Sequence, residues 1–503
     1  MLANALSASV VGVDGVPVRV EVDVSFGLPG LTIVGLAGSA VLEARERVRA
    51  AVRNSGFEVP ARRITVNLAP ADLPKEGTGH DLAMAVAILV ASTQLDGARL
   101  AHTALIGELA LDGSLRSVPG AMALVAAARS TGVTDVIVPV DNGPEGAGVG
   151  GVTVHPAACL GEVIAHLAGR IPLPVAERAA PLDRPAGSDD APDLASVIGQ
   201  AVARRALEIA VAGRHNIAFS GPPGVGKTLL ARAAAGLMPP LDEAEAAEVS
   251  RIRSVAGVTD QHVPMTLRRP FRAPHHTIST QALVGGGPRV RPGEASLAHH
   301  GALLLDETLQ FRTDALDALR GPLDAGVVTI ARVDRVLALP ASFMLLLAYN
   351  PCSCGWFNVS RRECSCEDGA RRRYQARLSG PMRDRLDLVV FLEPRFSARS
   401  RAARAESSAA VAKRISHAWD AQQARQRMSN AHLPAATIDD SHGFDEAMRD
   451  LLDLRARQMG LSLRRLHRAA RVARTIADLE GSDAVRRDHL DEALLHRPKE
   501  MQA

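Results

Sequence analysis

Aromatic side chains are scarce: two tryptophans, two tyrosines and ten phenylalanines, 3% of 503 residues. Cores must be built from Ala, Val and Leu, and a nucleic-acid binder that relies on many stacked aromatics is disfavoured. Long apolar runs are missing too. None approaches the ~18 residues of a bilayer-spanning helix, and the opening Met1-Leu-Ala-Asn-Ala-Leu-Ser7 lacks the basic start of a secretory leader. The expectation is a cytoplasmic chain with no membrane partner. Charge is balanced, with 58 Lys+Arg against 55 Asp+Glu and a net +3, which permits a local basic patch without demanding a polyanionic partner. Cysteine is sparse at five, yet four fall between 352 and 366. In a reducing compartment that clustering points to a metal rather than to disulfides.

At roughly 100–200 residues per domain, the length predicts about three domains. The first runs to about 170. It opens on the alternation Val18-Arg-Val-Glu-Val-Asp-Val-Ser25, which predicts a strand, followed by a helical pattern over 40–52, a strand over 64–68 and an apolar helix over 81–90. Residues 171–192, rich in Pro, Ala, Asp and Arg, read as a linker. From 193 to about 395 apolar strands alternate with helical patterns, the layout of an α/β P-loop domain. From 396 to 503 strand patterns vanish, and 402–428 and 461–478 read as helices. The fold class is α/β, with an α+β unit in front and a helical unit behind.

The chemistry concentrates in the middle unit. Gly221-Pro222-Pro223-Gly224-Val225-Gly226-Lys227-Thr228 follows the short apolar strand Asn216–Ser220 and precedes a strong helix former, Leu229–Leu237. This is the context a P-loop requires. Its glycines let backbone N–H groups close around phosphates at a helix N-terminus. Lys227 is expected on the β/γ-phosphates of ATP and Thr228 on Mg²⁺. A second apolar run, Gly301-Ala-Leu-Leu-Leu-Asp306-Glu307, places Asp306 to hold Mg²⁺ and Glu307 to polarise the attacking water. A third, Phe343–Asn350, ends in a polar residue that either orients that water or caps the strand. Gly380-Pro-Met-Arg-Asp-Arg385 and Ser462-Leu-Arg-Arg464 carry arginines of the kind that stabilise phosphoryl-transfer charge across a subunit interface, or that line a solvated helix face.

Taken in order, the P-loop, Asp306-Glu307, Asn350, Arg385 and Arg464 resemble the AAA+ ATPases of the magnesium-chelatase/MCM branch. Arg269-Pro-Phe-Arg-Ala-Pro-His-His-Thr-Ile-Ser279, Ala282–His299, Asn350-Pro-Cys-Ser-Cys-Gly355 and Val472–Glu480 are similar to the ComM/YifB family within it. The resemblance covers essentially the whole chain. It implies a homo-oligomeric, hexameric ring with ATP at subunit interfaces, Asn350 as sensor 1, Arg385 as arginine finger and Arg464 as sensor 2. It also implies action on single-stranded or branched DNA, as in branch migration during uptake and recombination. The rivals are a magnesium-chelatase-type motor subunit and a regulatory ATPase with no DNA partner. One departure stands out. Where the family has Asp-Glu-Leu-Pro-Glu-Phe, this chain has Asp306-Glu-Thr-Leu-Gln-Phe311, which alters the turn after Glu307.

Residues 1–168 resemble the proteolytic domain of Lon, a fold related to a small-subunit ribosomal protein, through Leu73–Met84 and Leu105–Val118. By alignment the Lon serine position holds Gly79 and the lysine position Met122. Neither supplies the Ser–Lys chemistry, so no peptidase activity is expected, with Thr78 and Lys75 as a displaced pair to weigh. Cys352, Cys354, Cys364 and Cys366 form two C-x-C pairs suited to a closed tetrahedral Zn²⁺ site; reduced thiols or two disulfides are the alternatives. Cys159 reads as core. Arg361, Arg362, Arg371, Arg372, Arg373 and Arg377 flank the cysteines, either against a phosphate backbone or paired with Glu363, Glu367 and Asp368. His275 and His276, adjacent in sequence, are expected to face different ways and to be structural.

Overall fold

The computed structural model describes residues 1–178, 191–258, 265–287, 290–332, 336–359, 362–394, 406–434 and 437–496, apart from 37, 74 and 76. The expected strand at 18–25 is the second half of a long antiparallel hairpin, Leu2–Val11 with Asp14–Ser25. Five further strands make a seven-stranded sheet, in the order 30–34, 63–69, 14–25, 2–11, 103–105, 135–139 and 153–157. Strand alternation sends neighbouring side chains to opposite faces. Ala3, Ala5, Val18, Val20 and Val22 therefore join one core with the helices Ser39–Asn54 and Asp81–Ala91, while Ala8 joins a second core with the helix Ala121–Arg129. Gly15 is needed here: a Cβ would come within 2.1 Å of the Ala123 carbonyl oxygen.

The start of the expected linker is docked. Leu173 is buried in the first core, the Ala176 amide donates to the Val154 carbonyl at 2.8 Å, and His155 Nδ1 lies 3.2 Å from the Pro174 carbonyl. Residues 179–190 of that stretch lie outside the described residues. Cys159 is half-buried at the N-cap of the helix Leu160–Leu167 rather than in the core. A helix start leaves its position partly open, which the apolar residues around it in sequence do not reveal.

The middle unit is built on a five-stranded sheet in the order Phe271–Arg272, Ala302–Asp306, Met344–Tyr349, Ile217–Ser220 and Leu388–Phe391, every neighbour parallel. Parallel sheets are covered on both faces, so their strands read as continuous apolar runs. Ile217, Phe219, Leu304 and Leu346 face one cluster, and Ala218, Leu303, Leu305 and Leu347 the other. Because all strands run the same way, the segments following Ser220, Asp306 and Tyr349 emerge at one edge of the sheet.

Among the described residues no strand follows Leu388–Phe391. The helix expected at 402–428 spans Ser408–Gln426, and 402–405 lie outside the described residues. Helix Leu463–Leu479 buries Leu466, Ala469, Ala473 and Ile476 in the cluster that holds Ile217 and Phe219, so the helical unit covers one face of the P-loop sheet.

The N-terminal unit is seated on the middle one. Val13, at the tip of the first hairpin, is buried in the cluster containing Ile252 and Leu339. The Gly120 amide donates to the Ser254 carbonyl at 3.0 Å, and Arg251 pairs with Asp14 at 3.0 Å. Ile252 and Ser254 belong to the helix Glu243–Ala256, which begins on a capping box made by Asp242 and Glu245.

Candidate functional site

The P-loop connects strand Ile217–Ser220 to helix Lys227–Ala233. Gly224 and Gly226 have φ of +77° and +95°, the left-handed region that glycine reaches without penalty, and a helix amide end opens after the turn. Lys227 is folded back into this turn. Its Nζ donates to the carbonyls of Gly221 and Pro222, both at 2.8 Å, and to Asn350 Oδ1 at 3.0 Å. Burial pushes the Lys227 ammonium down to about 8, against the pull of Asp306 and Glu307.

Sheet order places these groups together. Strand Met344–Tyr349 lies between the P-loop strand and Ala302–Asp306, so Asn350 emerges between Lys227 and Asp306. Thr228 Oγ1 donates to Asp306 Oδ1 at 3.1 Å. Two oxygens on one edge of an octahedral Mg²⁺ shell with ~2.1 Å bonds stand about 3.0 Å apart, so this pair fits a magnesium site. Glu307 is exposed, with its carboxylate 3.5 Å from His276 Nδ1. Its φ of +52° turns the chain sharply after Asp306. The departure from the family pattern is accommodated there: the Thr308 hydroxyl, fully buried, donates to the Leu305 carbonyl at 2.7 Å.

Arg385 and Arg464 lie together, but elsewhere. They line a cavity of about 310 Å³ with Asp324, Asp384, His467, Arg468 and Arg471. Arg385 pairs with Asp324 and donates to the Pro381 carbonyl at 2.7 Å. Arg468 donates to the Arg385 carbonyl at 2.8 Å and to Asp387 at 3.0 Å. The Arg385 carbonyl also accepts from Asn216 Nδ2 at 3.0 Å, and the Asp387 carboxylate takes the Asn216 amide at 2.9 Å. Asn216 starts the strand whose other end carries the P-loop. Five residues at ~3.3 Å each place the arginine cavity about 16 Å from that chain's own phosphate loop, on the opposite edge of the sheet.

The four cysteines converge. Sγ separations are 3.3 Å for Cys352–Cys354 and 3.6 Å for both Cys352–Cys364 and Cys354–Cys364, and all four sulfurs lie within 4.8 Å of one another. Four thiolates on a tetrahedral ion with ~2.3 Å bonds are about 3.8 Å apart. The thiols are free rather than bonded in pairs, and the set could hold a metal ion. The flanking arginines divide. Arg371 pairs with Asp368 at 2.7 Å and stacks on Phe357, Arg362 stacks on Trp356, and Arg377 donates to the Leu309 carbonyl at 2.8 Å. Arg372 and Arg373 are exposed, and Arg361 lies outside the described residues.

Two features escape sequence reading. The rings of His275 and His276 do not diverge; they stack with centroids 4.1 Å apart. They sit in an irregular segment, where the alternation of a strand or helix does not apply. A second convergence, Glu248 with His299 and His300, also resembles a metal triad. It is not one. His299 Nδ1 accepts the Ser342 amide at 3.0 Å, so the ring proton sits on Nε2, which donates to Glu248 at 3.0 Å and has no lone pair for an ion.

In the N-terminal unit Gly79 faces Val118 and Leu124, and Met122 is buried. Lys75 is buried with its amine on the Pro70 carbonyl, whereas the Thr78 hydroxyl engages Glu108. The displaced pair is thus committed to separate partners.

Fold and site define a P-loop ATPase of the AAA+ class. Comparison with known proteins narrows this. Residues 193–399 match the family model "Magnesium chelatase, subunit ChlI", 20–142 match "Subunit ChlI of Mg-chelatase", and 405–497 match the ChlI C-terminal model. The chain is 43% identical to the protein YifB of Salmonella typhimurium over 507 residues, covering 99% of this chain and 97% of YifB. It is 40% identical to the competence protein ComM of Haemophilus influenzae over 499 residues, covering 99% and 97%. A local likeness to the Lon protease of Rhizobium meliloti, 28% over 144 residues, covers 27% of this chain and 18% of that protein. The chain belongs to the YifB/ComM family of magnesium-chelatase-like AAA+ proteins. No helix among the described residues is long and apolar enough to cross a membrane.

Proposed function

We propose that this protein is the ATP-hydrolysing subunit of a cytoplasmic hexameric ring that moves single-stranded or branched DNA. The placement of Arg385 and Arg464 on the edge of the sheet opposite Lys227 carries the reading. One chain presents half a catalytic site at each end, and head-to-tail packing of identical chains brings the halves together. In the assembled site Lys227 and the P-loop amides hold the phosphates of ATP, and Thr228 and Asp306 hold Mg²⁺. Glu307 polarises water, Asn350 orients it, and the neighbour's Arg385 and Arg464 meet the developing charge. The cysteine cluster holds Zn²⁺ in a closed, structural site. The N-terminal unit takes no part in peptide cleavage.

DNA as the substrate is supported by the likeness to ComM, whose name ties that protein to competence, and by exposed Arg372 and Arg373 beside the cysteine cluster. A chelatase-type motor acting on a protein partner is the second reading, favoured by the family models. Hydrolysis measured without DNA and with single-stranded, duplex and four-way-junction DNA at two salt concentrations separates them. The DNA reading expects stimulation by single-stranded or branched DNA that weakens with salt. Robust hydrolysis indifferent to every DNA favours the protein-partner reading instead.

A further inference from the structure

The cysteine cluster is not a remote staple. It grows directly out of the nucleotide site at two points. Asn350, whose Oδ1 accepts from Lys227 Nζ at 3.0 Å, is two residues before Cys352. Cys352 is fully buried, and its carbonyl accepts the Gly355 amide at 3.0 Å, closing a tight turn that contains Cys354. At the end of that turn Gly355, with φ of +83°, lies flat against Pro223 of the P-loop; a Cβ there would come within 2.6 Å of Pro223 Cδ. Cys364 and Cys366 approach from across the insertion and complete the set of sulfurs. The backbone between Lys227's partner and Pro223's partner is thus the same short segment that supplies two of the four thiols.

We infer that metal occupancy of the cysteine cluster sets the nucleotide affinity of the P-loop, by fixing the 350–355 segment against Lys227 and Pro223. The inference rests on the zinc reading proposed above. Four thiolates brought together without an ion repel one another, and a site of this kind is ordered by its metal. Releasing the ion frees the turn, and both of its contacts with the phosphate loop loosen. Coupling between two binding sites is reciprocal, so bound nucleotide must in turn retain the metal.

The test uses the full chain as purified. Zinc content is first measured with a thiol-modifying mercurial and a chromogenic chelator. About one ion per chain is expected for a four-thiolate site; a chain without zinc overturns the zinc reading and the inference with it. With zinc present, the affinity for a fluorescent ATP analogue is compared in loaded and stripped protein, with Mg²⁺ restored to both. Stripping should weaken binding about 10-fold, within the usual range for coupled sites. Zinc affinity, read by competition with a chelator, should tighten by the same factor when ATP is bound to the Glu307→Gln protein. Gly355→Ala covers the case in which stripped protein unfolds: it keeps every thiol, should keep zinc, and should still lose nucleotide affinity. Unchanged affinity both in the stripped protein and in Gly355→Ala that retains its zinc overturns the coupling while leaving the zinc site standing.

Discussion

Lys227 Nζ donates to Asn350 Oδ1 at 3.0 Å, which joins the residue proposed to grip phosphate to the residue proposed to orient water. In the proposed site Lys227 meets phosphate and Asn350 meets the attacking water. Asn350→Ala should therefore spare nucleotide affinity, within about threefold, and lower kcat by roughly 10–100-fold. Paired binding and turnover measurements check the split. A loss confined to affinity would make Asn350 a strand cap and nothing more.

Proton linkage follows from the same lysine. Burial holds the Lys227 ammonium at about 8 in the free protein, and a bound polyphosphate raises it. The free protein above pH 8 carries a neutral amine that must take up a proton when ATP binds, so affinity falls as pH rises through that value. Calorimetry in buffers of different ionisation enthalpy should find about one proton taken up at pH 9 and little at pH 7. Lys227→Arg, always charged, should abolish the uptake.

Opposite-edge placement of Arg385 and Lys227 gives a complementation test. Lys227→Ala and Arg385→Ala should each be inactive alone. Mixed in equal amounts, they should regain about one quarter of wild-type hydrolysis, since random head-to-tail packing rebuilds one site in four. No recovery in mixtures shown to assemble would place both residues in one chain's site.

Arg474 offers a stability test away from the nucleotide. It is 1% exposed and donates to Asp478 at 3.0 Å, to the His442 and Asp483 carbonyls at 3.1 and 2.6 Å, and to the Ser482 carbonyl. Arg474→Met removes these donors, while Asp478 keeps Arg425 and Asn430 as partners. It should destabilise the helical unit by about 1–3 kcal/mol, read from denaturant unfolding, with the P-loop unit's own transition shifted less.

The site was legible in sequence where chemistry dictates spacing. A phosphate loop needs its glycines, lysine and hydroxyl in consecutive positions, and Asp306-Glu307 must end an apolar strand. The strands themselves were visible because both faces of the parallel sheet are covered, which leaves unbroken runs such as Leu345–Ala348. Most of what stayed hidden depends on residues far apart in the chain. Asp324, Arg385 and Arg471 share one cavity although 147 positions separate the first from the last. The stacking of His275 on His276 needs an irregular backbone, which no periodicity announces. The proton on His299 Nε2 is set by the amide of Ser342, 43 positions away. The approach of Gly355 to Pro223 joins segments 132 positions apart.

Val13 has a consequence for anyone who would take the molecule apart. Its side chain, at the tip of the first hairpin, is buried in the cluster that holds Ile252 and Leu339, while Gly120 and Asp14 fasten the same unit to the helix Glu243–Ala256. A chain trimmed of its first 170 residues would lose Val13 from that cluster and uncover the side of the helix that Gly120 and Asp14 hold. Whatever displacement that helix undergoes, the N-terminal unit must travel with it as cargo.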